Sequence, residues 1–483
     1  MVKLENEWPD GGGAATHREA FQALICKTSS VLAIAVGDPP TRQFDVCIVG
    51  AGILGTCMAF WLSEQYECSV ALVDKEQSVA FHASSRNTGV VHRPFYLHPE
   101  RKKKFAWAAQ RSYPLWERLA RAKGLPWRKT GVVEVATDER SLPVLNEYRS
   151  WGITNGMGED EIELLDPSQV KAVEPLVKCS GAIYSKTDAS VDYRRFTEAV
   201  LSLAQENGIV FLGATRVQDI GEDKDGYSVE VRRADGGVWN LSCGLLVNAS
   251  GGGALPLAHK LGLAQEYAQL HFRGDYWQVT GPISSQISHN IYSVPRRMEY
   301  PFLDPHFIVR ADGSAEIGPN AAVVAGPYVY DGFTGGSREL ISRLLERPVS
   351  PKLKLLFDPE FLSLAWTERR RSVSKRVMCD GVREFIPSLA YGMLGGRGVG
   401  GVRNALISTD GFIPEALEMW SGGSLHIMNY NSPGATGAPA YSAKLVAELA
   451  TKGLVDGLHS RAKQPHASPW DFDETVADVP TWV

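Results

Sequence analysis

The chain is poor in cysteine: seven in 483 residues, with no Cys-x-x-Cys pair among them. Cys26, Cys47, Cys57, Cys68, Cys179, Cys243 and Cys379 are scattered and odd in number. That pattern speaks against a disulfide framework and against zinc, and for a reducing, cytoplasmic setting. No His, Asp or Glu cluster has ligand spacing, so no metal is expected. Apolar runs long enough to cross a bilayer are missing. Positive charge is also lacking. A net charge of −5 argues against a nucleic-acid partner, whose binding needs concentrated cations. What remains is a hydrophobic share of 44% and 47 glycines, which fits a loop-rich α/β protein of two or three domains.

The first 43 residues fit no element well. Residues 9–16 are rich in Gly and Ala, and residues 30–36 form a short apolar run after Lys27. A secretory signal is one reading, but a long polar leader precedes the run, so a flexible extension is expected instead.

The strongest local pattern is Phe44-Asp45-Val46-Cys47-Ile48-Val49-Gly50-Ala51-Gly52-Ile53-Leu54-Gly55. An apolar strand runs straight into three glycines, a helical pattern follows, and a second strand ends on Asp74, 19 residues past Gly55. Each part has a physical job. Gly50 makes the tight turn, Gly52 lets the backbone approach a pyrophosphate, and Gly55 brings helix and strand together. The pyrophosphate sits on the positive helix end, and Asp74 accepts from a ribose diol. Such a chain binds a dinucleotide. The loop Ser84-Ser85-Arg86-Asn87-Thr88-Gly89 then offers small hydroxyl groups to an extended cofactor with a flat ring, which favours a flavin over a nicotinamide.

Four segments resemble the D-amino-acid-oxidase-like superfamily and, within it, the L-2-hydroxyglutarate dehydrogenase/oxidase family. They are the fingerprint with its loop through His92, the Leu270-His271-Phe272-Arg273-Gly274-Asp275-Tyr276-Trp277 strand, residues 291–321, and Gly401-Val402-Arg403 with residues 425–436. Together they span most of the chain. Departures fall at Arg93-Pro94, Asp304-Pro305 and Asn404-Ala405, where substrate and flavin are expected to meet. The resemblance implies FAD as cofactor and a Rossmann-like FAD-binding domain, with an interleaved, strand-rich α+β substrate domain. On that reading residues 44–125, 191–262 and 386–455 form the cofactor domain, and residues 126–190 and 263–385 the substrate domain. Residues 1–43 and 456–483 are tails. The resemblance further places Val217 at the adenine end and Ser250-Gly251 at a second approach to the cofactor. Residues 160–173 read as one helix and residues 269–332 as one large sheet.

The implied reaction oxidises a 2-hydroxy acid to a 2-oxo acid, moving the α-hydrogen as hydride to flavin N5 while a base takes the hydroxyl proton. Histidine starts near the useful pKa. His306 is the first candidate and His92 the second. Arginine binds a carboxylate with two parallel bonds. Arg403 comes first, with glycines such as Gly401 opening room beside it. Arg273 is second, although Asp275 offers it an internal salt bridge. Ser432-Pro433-Gly434-Ala435-Thr436 leads into a helix whose N-terminus suits the negative charge of a reduced flavin.

L-2-hydroxyglutarate is the leading substrate. Malate, glycerol 3-phosphate or an amino acid are the neighbouring choices, and a flavin module without turnover is the contrasting one. Oxygen or a quinone is expected to take the electrons. Residues 338–376 mix apolar side chains with many Lys and Arg, a composition that suits peripheral contact with an anionic membrane or simply a solvated face.

Overall fold

The computed structural model describes residues 42–296, 304–462 and 468–479. The N-terminal extension through residue 41, and Pro301-Phe302-Leu303 of the third resembling segment, lie outside the described residues.

Strand Val70–Val73 is buried at every position, as are the last four residues of Val238–Asn248. Such unbroken apolar runs belong inside a parallel sheet covered on both faces. They form one here. Its order is Val210–Leu212, Val70–Val73, Gln43–Val49, Val238–Asn248, then the antiparallel pair Gly226–Arg233 and Thr215–Asp223. The long strand Val238–Asn248 serves two neighbours along one edge: its first half pairs with Gly226–Arg233, its last residues with the parallel strand Ser424–Met428.

Helix Ile53–Gln65 is buried from Ile53 through Ser63 and is apolar all round, as an interior helix must be. It packs with helices Lys103–Lys123, Tyr193–Glu206 and Gly434–Thr451 over one face of the parallel sheet. Three indole N–H groups tie this layer together. Trp61 donates to the Pro439 carbonyl (2.8 Å), Trp116 to that of Thr436 (2.8 Å) and Trp470 to that of Leu115 (2.7 Å). Each satisfies a polar atom that burial would otherwise strand.

An eight-stranded sheet stands apart. It runs Leu394–Arg397, Trp277–Val279, Ala315–Gly318, His306–Val309, Asn290–Ser293, Val132–Ala136, Gly181–Ser185 and Ile162–Leu165. Helix Lys375–Arg383 seals one face, with Met378, Cys379 and Val382 against Val133, Ile291 and Phe307. A third, four-stranded sheet holds Ala322–Val324, Ala268–Gly274, Gly401–Ser408 and Gly411–Phe412.

Two sequence expectations change here. The single helix read over residues 160–173 is a strand, Ile162–Leu165, followed by helix Pro167–Val173. Asp166 stops the strand and caps the helix, accepting from the Ser168 and Gln169 N–H groups at 2.7 and 2.9 Å. The sheet read over residues 269–332 is divided: Ala268–Gly274 and Ala322–Val324 join Gly401–Ser408, and the strands between them join the larger sheet. Residues 394–397 also complete that larger sheet, so the chain rejoins the parallel sheet only at Leu417–Ser421 and Ser424–Met428. Sheet partners are chosen by packing between distant segments, which periodicity along one segment does not encode. Among the described residues, no helix is long and apolar enough to cross a membrane.

Candidate functional site

Gly50 and Gly55 of the fingerprint are held by backbone contacts that exclude any side chain. Gly50 has φ +105°, and a Cβ on it would lie 2.6 Å from the Ala249 carbonyl oxygen. A Cβ on Gly55 would lie 1.9 Å from the Gly50 oxygen. The strand, the turn and the N-terminus of helix Ile53–Gln65 therefore touch without intervening side chains, which leaves the backbone at Gly52 open to a ligand. Ser84 reaches across and accepts from the Ile53 N–H at 3.0 Å. Asp74, at the end of the second strand, accepts from the Ala51 and Glu76 N–H groups at 2.7 and 2.8 Å. Burial raises its pKa, against the pull of those bonds. Each carboxylate oxygen keeps a second lone pair for a ribose hydroxyl.

From this corner a cleft of about 560 Å³ runs along the molecule. Val217 lines one end, next to Thr215 and Arg216. Ser250 and Gly251 line it at the end of strand Val238–Asn248, where Ser250 Oγ donates to Asn248 Oδ1 at 2.7 Å. Of the loop residues, Ser84, Arg86, Asn87 and Thr88 face it; Ser85 and Gly89 do not. Gly89 instead shapes the loop: φ is +71°, and Asn87 Oδ1 accepts its N–H at 2.8 Å. Gly401 packs on the same loop so closely that a Cβ would lie 1.9 Å from the Arg86 oxygen.

At the other end, Ser432, Pro433, Gly434, Ala435 and Thr436 open the N-terminus of helix Gly434–Thr451 onto the cleft. No side chain caps that helix, so its free N–H groups and dipole favour negative charge there. Trp116 on the Thr436 carbonyl, and the Tyr193 hydroxyl 3.0 Å from Thr436 Oγ1, fix the position of this first turn. An extended anionic dinucleotide fits these features. One helix end and a glycine turn suit its phosphates, an acid suits a ribose, and a second helix end suits the electron-rich ring.

His92 lines the cleft and is buried. Its backbone N–H donates to Thr436 Oγ1 at 3.1 Å, and its Nδ1 lies 3.4 Å from Asp188 Oδ1, close enough for charge attraction but without hydrogen-bond alignment. Asp188 is fully buried and is itself held by the Arg93 N–H at 2.9 Å and by the Ser185 hydroxyl. Glu134, also buried, sits close enough to Asp188 to feel its charge. Desolvation first, and then Asp188, push the Glu134 carboxyl up to about 8.

His306 is one ring removed from His92. It stacks on Tyr292 with centroids 3.9 Å apart, and Tyr292 meets His92 edge-on at 5.9 Å. Burial holds the pKa of His306 down at about 3, Asp304 opposing and His92 adding to the shift. It does not line the cleft.

The two arginines separate as sharply. Arg403 lines the cleft from strand Gly401–Ser408, and among the described residues no carboxylate lies within ion-pair distance of it. Burial lowers its pKa to about 10, so it stays charged near neutrality. Arg273, paired in register with Val402, points elsewhere. Its guanidinium donates to Asp275 Oδ1 (3.0 Å), the Gly332 carbonyl (2.7 Å) and Ser372 Oγ (3.0 Å), the internal salt bridge that its sequence neighbours allowed. Tyr276 lines the cleft beside Arg403, its phenol pushed up to about 12 by burial.

Sequence reasoning missed Asp188. It lies 96 residues from His92, between two short strands, and only the pairing of Val90–Val91 with Ala189–Ser190 brings the two together. It also missed Tyr328 and Arg343, which line the cleft from a segment that carries no motif.

The family model for FAD-dependent oxidoreductases matches residues 45–449. The mitochondrial L-2-hydroxyglutarate dehydrogenase of Bos taurus is 27% identical over 91% of this chain and 94% of its own. The L-2-hydroxyglutarate dehydrogenase of Escherichia coli is 28% identical over 85% and 94%. Among solved structures, the FAD-bound L-alpha-glycerophosphate oxidase of Mycoplasma pneumoniae superposes with a TM-score of 0.66 at 21% identity, over 88% of this chain and 97% of that one. At that identity the likeness speaks for the fold alone.

Proposed function

The chain belongs to the FAD-dependent oxidoreductase family, and from that premise we propose that it oxidises a 2-hydroxy acid to the 2-oxo acid, with L-2-hydroxyglutarate as substrate. The observation that carries this reading is the pairing, in one cleft, of an arginine with no carboxylate partner among the described residues and a histidine backed by a buried carboxylate. The fingerprint glycines, Asp74, Val217, Ser250 and the 432–436 turn would hold FAD, which would supply the two-electron acceptor for the substrate's α-hydrogen.

The remaining work falls to side chains of the protein. Arg403 binds the substrate carboxylate through two parallel N–H bonds, which orients the α-carbon. With Nδ1 turned to Asp188, Nε2 is the atom of His92 left to take the hydroxyl proton. Asp188, 3.4 Å from Nδ1, offsets the positive charge the ring acquires. His306, held neutral and away from the cleft, supports the stack on Tyr292. The names of the bovine and bacterial relatives favour the five-carbon diacid over malate, glycerol 3-phosphate or an amino acid.

The test is anaerobic bleaching of the purified protein's flavin spectrum by L-2-hydroxyglutarate, D-2-hydroxyglutarate, L-malate, glycerol 3-phosphate and glycine in turn. Rapid bleaching by L-2-hydroxyglutarate alone is expected. Bleaching by glycine or glycerol 3-phosphate instead would sink the assignment, and a flavin that every acid leaves oxidised would sink the reaction.

A further inference from the structure

The cleft leaves unexplained a cationic, apolar stretch between the four-stranded sheet and helix Lys375–Arg383. It folds as three helices, Ser337–Leu345, Ser350–Leu356 and Pro359–Val373. Each leaves an apolar pair at i, i+4 spacing in solvent: Ile341 with Leu345, Leu353 with Phe357 just past its helix, and Leu362 with Trp366. Leu345 is 71% exposed, Phe357 82% and Trp366 67%, values far from those of scattered surface residues with partial cover. The opposite face of the third helix is anchored. Phe361 and Arg371 are buried there, and Glu368 accepts the Ala321 N–H at 2.7 Å. The Leu362–Trp366 pair therefore sits on a fixed support.

Charge identifies what would cover them. Residues 337–376 hold ten Lys or Arg against five Asp or Glu, a net of +5, which leaves −10 for the rest of a chain whose total is −5. Several of the acids are consumed locally. Glu346 is held by Arg343 and Lys352, and Glu368 by Arg371. Arg338, Arg347 and Arg370 remain exposed. A second copy of the chain would bring like charge against like. An anionic surface that also accepts apolar side chains satisfies both features at once.

We propose that this three-helix segment seats the protein on an anionic lipid bilayer, with the apolar pairs entering the headgroup region and the arginines meeting lipid phosphates. Arg343 of the first helix also lines the cleft, near Tyr328 and the Asp74 end, so the seated face borders the cleft at that end. Vesicle binding does not depend on which acid is oxidised, so it is tested apart from the substrate reading.

The experiment floats the full-length flavoprotein with vesicles of phosphatidylcholine, alone or with about 30% phosphatidylglycerol, at low and high salt. Binding to the anionic vesicles, lost in high salt and absent with pure phosphatidylcholine, is expected. The variant L345E/F357E/W366E is expected to lose at least ~10-fold in partitioning while keeping its flavin and its rate with a soluble dye. R338A/R347A/R370A removes charge without touching the apolar pairs, and at roughly fivefold per cation it should lose on the order of 100-fold. Three outcomes would overturn the proposal: no binding to anionic vesicles, variants that bind as the parent does, or a parent dimer that the glutamate variant dissociates while neither binds lipid.

Discussion

Replacing Arg403 gives the sharpest test of the pocket. Its guanidinium has no carboxylate partner among the described residues, so a substrate carboxylate is the group that completes it. Removing one member of a buried, charge-assisted pair costs about 2–5 kcal/mol. Arg403→Ala should therefore lower kcat/KM by roughly 30- to 4,000-fold, at 1.4 kcal/mol per decade. Arg403→Lys keeps the charge but loses the fork, and about 1.5–2 kcal/mol, a 10- to 30-fold loss, is expected. Most of the change should fall on KM, because the carboxylate is bound before and during reaction alike. The assay is steady-state dye reduction with the acid that bleaches the flavin, on variants with unchanged flavin content. Arg273→Lys is the control. Its three internal bonds predict a lower Tm and a parental KM. A parental KM in Arg403→Ala together with a raised KM in Arg273→Lys would refute the pocket as drawn.

Asp188→Asn should lower kcat by about 100-fold or more with little change in KM, since the carboxamide keeps the shape but not the charge behind His92; a parental kcat would remove Asp188 from the mechanism. Glu134 gives a stability signature. Its carboxyl ionises near 8 in the folded protein and near the ordinary 4.5 in the unfolded chain, so the stability it contributes is whole below about 4.5 and is lost at roughly 1.4 kcal/mol per pH unit as pH rises towards 8. Glu134→Gln cannot ionise and should gain in Tm over the parent between pH 5 and 8; parallel Tm curves would contradict this account.

The glycine turn at one end of the cleft was largely legible in the sequence because its determinants are local. Gly50, Gly52 and Gly55 act within one turn, where backbone closeness at Gly50 and Gly55 admits only glycine, and the acid that follows is set by the length of one helix and one strand. The Ser432–Thr436 turn was legible for the same reason: a helix start is written in the residues that begin it. The basic, apolar composition of residues 338–376 was equally visible, and exposure at i, i+4 positions gave it geometry.

The catalytic half was not local, and its ranking changed. His306 read well as a base because it follows a resembling motif, yet folding stacks it on Tyr292 and dries it until its pKa falls to about 3. His92 looked secondary, and folding gives it both the cleft and Asp188. Arg273 and Arg403 sit on paired strands one register position apart, and only three-dimensional packing decides that one closes an internal network while the other faces the cleft. The sequence by itself determined that this protein binds a dinucleotide, because that recognition rests on backbone turns and helix ends. Tertiary structure alone decided which histidine and which arginine reach the cleft, because desolvation and charge pairing depend on residues tens to hundreds of positions away.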